Sequence, residues 1–160
     1  MAGAHTDIDL QHAQDNIATM LAADRFSAWL GIRVLEIAPS RVLLEMEIRS
    51  EMVNGFGVCH GGITYAFGDS ALAFASNTAE HVCVSIDNAI SYPNPVYLGD
   101  ILRAEAVAEH VGKRISHYRI RITRQDNLPV ALMHGTTYKT QKSHAQLRAE
   151  RCQSAIDSRK

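Results

Sequence analysis

Asp69 stands in the middle of an almost unbroken run of apolar and small residues, Ile63 to Ala79. An unpaired carboxylate in such surroundings costs on the order of several kcal/mol, so it requires a partner or a wet pocket. A carboxylate kept there suits work as a general base or nucleophile. A structural reading also fits: Gly68 breaks the helix, and Asp69 caps a new one starting at Ser70. Eight residues upstream, Gly61-Gly62 leads into the same run. A glycine pair entering a helix leaves backbone N–H groups at the positive end of the dipole, where an oxyanion or polarised carbonyl can dock. Alternatively, the pair serves a tight strand-to-helix turn by sterics alone. At 1.5 Å per residue, Gly61 and Asp69 are roughly 12 Å apart along one helix, too far to act on one carbonyl. If both are catalytic, they come from two chains, with antiparallel helices across a twofold axis.

Around this pair lie Asn54, Cys59 and His60, in the glycine-punctuated loop Asn54 to Gly62. Cys59 beside His60 hints at a thiol nucleophile, but neighbours on a strand point to opposite faces, and a small buried residue is the plainer reading. Three cysteines without a Cys-x-x-Cys pair suit neither a disulfide framework nor a zinc site. The eight histidines are scattered, none in an i, i+4 pair with a helical Glu. No metal and no cofactor are expected.

The elements that must hold these residues follow from periodicity. Ile8 to Leu30 has helical spacing and ends at Gly31, which gives one or two short helices. Ile32 to Ser50 alternates around a Pro39-Ser40 turn, a strand pair with one wet face. A helix over Ile63–Ala79, apolar on every side, must be covered on every side, and a sheet wrapped around it is the simplest cover. Four stretches follow, His81 to Tyr92, Ile101 to Val111, Arg114 to Arg124 and Val130 to Thr140, which read as an antiparallel meander. Residues 1–140 then form one α+β domain and 141–160 a polar tail, frayed helix or coil. The 160 residues carry 16 basic and 17 acidic side chains, so no excess charge favours nucleic acid or an anionic membrane. No apolar run approaches a membrane span, and Met1 to Leu10 lacks a secretory pattern, so a cytoplasmic protein is expected.

The stretch Asn54-Gly-Phe-Gly-Val-Cys-His60-Gly61-Gly62 through Asp69 to Asn77 resembles the signature of hotdog-fold acyl-CoA thioesterases, most closely the PaaI type of phenylacetate degradation. The likeness continues through Val84-Ser85-Ile86-Asp87, Tyr92-x-x-Pro95, Gly99-Asp100 and Gly112-Lys113. Departures are Phe67-Gly68 before Asp69, and Asn88-Ala89-Ile90. The resemblance implies a long helix wrapped by an antiparallel sheet, in a homotetramer built from two dimers. It implies Asp69 as base or nucleophile and the Gly61 N–H as polariser of the thioester carbonyl. Asn54 and His60 would position leaving group, carbonyl or water, and Ser85 would add a hydroxyl on the Asp69 side. Lys113 and Arg114, at a hairpin tip, would meet the phosphates of coenzyme A, which is part of the substrate. The implied reaction is hydrolysis of aryl-acetyl-CoA or hydroxylated phenylacetyl-CoA. The alternatives are a medium-chain aliphatic thioesterase and a non-catalytic acyl-CoA binder, which would have no need of the carboxylate.

Overall fold

The computed structural model describes residues 7–157; the ends of the expected domain and tail, 1–6 and 158–160, lie outside the described residues. Two helices come first, α1 (Asp7–Ala23) and α2 (Arg25–Leu30). Asp24 caps α2 by accepting from the Phe26 and Ser27 N–H groups, and Gly31 ends it at φ 77°, a left-handed cap suited to glycine. Strands β1 (Arg33–Ala38) and β2 (Arg41–Glu47) form the expected hairpin. A single 3-10 turn over Ser50–Met52, not anticipated, leads to the loop before α3 (Gly61–Ser76).

Strands β3 (His81–Ser91), β4 (Ile101–Val111), β5 (Ile115–Arg124) and β6 (Pro129–Ser143) complete an antiparallel sheet of order β1-β2-β4-β5-β6-β3. The expected meander holds for β4-β5-β6 only. β3 lies at the far edge against β6, because the segment between β3 and β4 carries the chain back to β2. The expected tail at 141 also begins too early: β6 runs to Ser143, and α4 (His144–Asp157) follows. Ser143 and Gln146 cap α4 reciprocally, Ser143 Oγ accepting the Gln146 N–H and Gln146 Oε1 accepting the Ser143 N–H.

The sheet curls around α3, which packs on β2, β3, β4, β5 and β6. Alternate residues of the strands, such as Leu44, Met46, Leu102, Ala104, Ile120 and Met133, meet Phe67, Ala71, Leu72, Phe74 and Ala75 of the helix in one apolar core. Two glycines set the close approach of helix to sheet. A Cβ on Gly68 would lie 2.8 Å from Met133 Sδ, and one on Gly135 would lie 2.4 Å from Leu72 Cδ2. Gly68 therefore serves packing, and α3 passes through it unbroken.

The cover is one-sided. Gly62, Tyr65, Ala66, Asp69, Ser70 and Ala73, at helical spacing, form a stripe of α3 that stays half-buried or exposed. Beside it the edge strand β3 presents Val84 and Ile86 to solvent. The expected sheet wraps α3, and the cover that the helix needs on every side is met on one side only within one chain.

Candidate active site

Asp69 occupies the middle of α3, about two helical turns from either end, and caps nothing; the N-cap of α3 is His60. The side chain is half-buried on the uncovered stripe, so the wet-pocket alternative describes it better than burial in the core. Its Oδ1 accepts a hydrogen bond from Asn88 Nδ2 of β3 at 2.9 Å. The same nitrogen donates to the Tyr65 hydroxyl at 3.2 Å. Asp69 Oδ2 has no hydrogen-bond partner among the described residues. One carboxylate oxygen is held and the other is open.

At the start of α3 the backbone donors divide unequally. His60 Nδ1 accepts the Gly62 N–H at 2.9 Å, and the His60 carbonyl accepts the Ile63 N–H at 2.9 Å. The Gly61 N–H finds no acceptor among the described residues. It is the donor that a helix N-terminus offers to an oxyanion. Because Nδ1 of His60 accepts, the neutral ring carries its proton on Nε2, which makes the exposed edge of the ring a second donor. Tyr92, just after β3, donates its hydroxyl to the Gly61 carbonyl at 3.0 Å and lays its ring within 3.5 Å of where a Gly61 Cβ would stand. Burial pushes the Tyr92 hydroxyl above its usual range, so it stays a donor at neutral pH.

Asn54 shapes the loop. Its Oδ1 accepts from Phe56 N–H at 2.9 Å and its backbone pairs with Val58 and Gly57, an Asx-turn that delivers His60 and Gly61 to the helix start. Cys59 is buried, with its sulfur 3.5 Å from the His60 carbonyl, and burial raises its thiol above the ordinary value. That is the environment of an inert thiol. Beside Gly61 lies a cavity of about 350 Å³, walled chiefly by Val58, Tyr92, Pro93, Pro95, Val96 and Val130.

This geometry meets its relatives in known proteins. The Thioesterase superfamily profile matches residues 56–131. The chain is 31% identical over 127 residues to acyl-coenzyme A thioesterase PaaI of Escherichia coli K12, covering 79% of this chain and 91% of that one. It is 30% identical over 116 residues to human acyl-coenzyme A thioesterase 13, covering 71% and 83%. The solved structure of the E. coli PaaI protein from the phenylacetic acid degradation operon superposes with a TM-score of 0.82 at 29% identity, over 84% of this chain and 97% of that one. The chain belongs to the PaaI-type hotdog acyl-CoA thioesterases. It is a thioester hydrolase of the acyl-CoA class.

Within this thioesterase the expected residues fall into three places. Asp69, Gly61, His60 and Asn54 share α3 and its entry loop, with Gly61 and Asp69 eight residues apart on one helix. Ser85 lies on β3, exposed, opposite Thr137; it shares the α3-facing side with Asn88 but sits three residues, roughly 10 Å, farther along the strand. Lys113 and Arg114 lie at the β4–β5 hairpin near the C-terminal end of α3, where they line a cavity of about 320 Å³ with His81, Tyr138, Lys139 and Thr140. Asn88 and Tyr92 escaped the sequence reading. Tyr92 carried a signal in its Tyr-x-x-Pro motif, whereas Asn88 was visible only as a departure from the family's wording.

Among the described residues no helix is long and apolar enough to cross a membrane. No group of three or more His, Cys, Asp or Glu side chains is gathered there that could hold a metal ion.

Proposed function

We propose that the protein hydrolyses aryl-acetyl-CoA or hydroxylated phenylacetyl-CoA to the free acid and coenzyme A, in sites shared between two chains. The observation that carries the two-chain site is the stripe of α3 that its own sheet leaves uncovered. That stripe holds Asp69 midway and ends near the free Gly61 N–H, roughly 12 Å away on the same helix. Two such helices laid antiparallel bring Asp69 of one chain towards the Gly61 end of the other, twice per dimer. The open β3 edge with Val84 and Ile86 supports the same pairing. The family resemblance extends the assembly to a tetramer of two dimers.

In that site the thioester carbonyl oxygen accepts the Gly61 N–H, and Asp69 of the partner subunit removes a proton from water as the water oxygen attacks the carbonyl carbon. The tetrahedral oxyanion collapses, the C–S bond breaks, and the coenzyme A sulfur leaves with a proton. A donor preorganised for the oxyanion contributes about 3–4 kcal/mol of transition-state stabilisation. Direct attack by Asp69 on the carbonyl is the second route, and it passes through a mixed anhydride. Repeated turnover in ¹⁸O-water separates them, because only an anhydride opened by water at the Asp69 carbonyl leaves the label in that carboxylate. His60 Nε2–H and the Asn54 amide face the leaving group, carbonyl or water, and Ser85 contributes its hydroxyl on the Asp69 side. The cationic hairpin of Lys113 and Arg114, joined by Lys139, is the seat proposed for the coenzyme A phosphates. Coenzyme A arrives as part of the substrate and no other cofactor takes part. A cytoplasmic acyl-CoA is the source of substrate in this proposal.

The test is thiol release from phenylacetyl-CoA, a hydroxyphenylacetyl-CoA and a medium-chain aliphatic acyl-CoA. A kcat/KM at least tenfold higher for an aryl-acetyl thioester supports the substrate class. An aliphatic preference keeps the chemistry and removes the aryl assignment.

A further inference from the structure

Asn88 supplies the hydrogen bond that Asp69 receives among the described residues, yet the reaction above makes no use of it. Its amide can face a carboxylate in one orientation only, because an amide oxygen there would oppose the carboxylate oxygen. Nδ2 is therefore the atom 2.9 Å from Asp69 Oδ1, and its second contact, 3.2 Å to the Tyr65 hydroxyl, fixes the amide plane. Tyr65 and Asp69 stand four residues apart, one helical turn, on the uncovered stripe of α3. Asn88 thus bridges strand and helix at the point where the carboxylate must be aimed.

The other half of the amide makes the case independently. Asn88 Oδ1 is sealed from solvent with no donor in reach. It packs against Gly135, where a Cβ would come within 2.9 Å of it and which is directly opposite on β6. A buried amide oxygen without a donor is unfavourable, and a leucine of similar shape would remove that penalty. The fold alone gives no reason for asparagine at this position. The carboxylate does.

We propose that Asn88 is a positioning residue that holds Asp69 by Oδ1, so that Oδ2 is presented to the water or thioester carbonyl brought by the partner chain. This rests on the thioesterase role proposed for Asp69. The experiment compares wild type, Asn88→Leu and Asn88→Ala for kcat and KM of thiol release on the best acyl-CoA of the panel, together with thermal midpoints. The expected result is a kcat lowered about 10- to 100-fold, as for a misplaced reacting group, with KM within threefold of wild type. The midpoint of Asn88→Leu is expected to equal or exceed that of wild type, since its orphaned oxygen is gone. A folded variant with kcat within twofold of wild type overturns the proposal. Failure of both variants to fold overturns it as well, because Asn88 then serves the fold. A folded wild type that releases no thiol from any acyl-CoA removes the thioesterase reading itself, and this proposal falls with it. An active wild type beside unaffected Asn88 variants removes only the present inference.

Discussion

The two ends of α3 are built on opposite plans. At the C-terminal end Asn77 donates to the Ala73 carbonyl at 2.8 Å and the Cys83 carbonyl at 3.0 Å, and accepts the Cys83 N–H at 2.9 Å. Ser76 and Thr78 return their hydroxyls to Ala73 and Ala75, and Asn16 of α1 donates to Ala79. Asn16, Ser76, Asn77 and Thr78 are all buried. At the N-terminal end His60 satisfies the Gly62 N–H, and the Gly61 N–H next to it is left open. The sealed end fixes the helix to the sheet, whereas the open end leaves one backbone donor without an acceptor among the described residues.

Substitutions at either end, and at the carboxylate between them, can break this contrast. The largest effect is expected from Asp69→Asn, on the order of a thousandfold in kcat with an unchanged thermal midpoint, measured by thiol release beside calorimetry. Next comes Gly61→Pro. Proline is well tolerated at the first position of a helix, and His60 already has the extended backbone (φ −63°, ψ 130°) that a following proline requires. The change removes one N–H and little else, so the helix is expected to form while kcat falls about 10²- to 10³-fold. An active Gly61→Pro enzyme would show that the open donor is not the oxyanion site.

Asn77→Ala probes the sealed end. It strands the Cys83 N–H and two carbonyls, with an expected loss of about 2–3 kcal/mol in urea unfolding and an unaltered kcat per folded molecule. The smallest effect is a pH dependence. His144, at the start of α4, donates its backbone N–H to the Glu80 carbonyl, and its side chain is buried beside His12, Glu80, His81 and Arg148. Burial first, then the charges of Arg148 and His81, hold its imidazole below the usual value of 6.5. The unfolded chain therefore takes up this proton first as pH falls. The stability is present in full above about pH 6.5 and is lost below it. A thermal midpoint lower at pH 5.5 than at pH 7.5 is expected in calorimetry, a difference that His144→Leu should reduce.

Local pattern made much of this legible from sequence. The Gly31 cap, the Pro39-Ser40 turn and the hairpins of β4, β5 and β6 are written in adjacent residues, and they were read correctly. The place of β3 was not, since its partner β6 lies some fifty residues away and strand order is a long-range property. Asn88 was hidden by a second cause. A shift of register between Ser85 and Asp87 puts Ser85 and Asn88 on one face, whereas simple alternation from Ser85 would have turned Asn88 away from the helix. The uncovered stripe of α3 looks in sequence like a core face, because Asp69 apart its residues are small or aromatic, like those that meet the sheet.

Cys59 gains meaning from the reaction proposed next to it. In the site proposed above, each turnover would free a thiol beside Gly61, two residues along the chain from Cys59, and oxidised coenzyme A would exchange with any neighbouring thiolate. Exchange proceeds through the thiolate, and a sulfur raised by burial and enclosed between the His60 carbonyl and Thr64 has little of it at neutral pH. In that site the enzyme would be insulated from becoming covalently tethered to its own product.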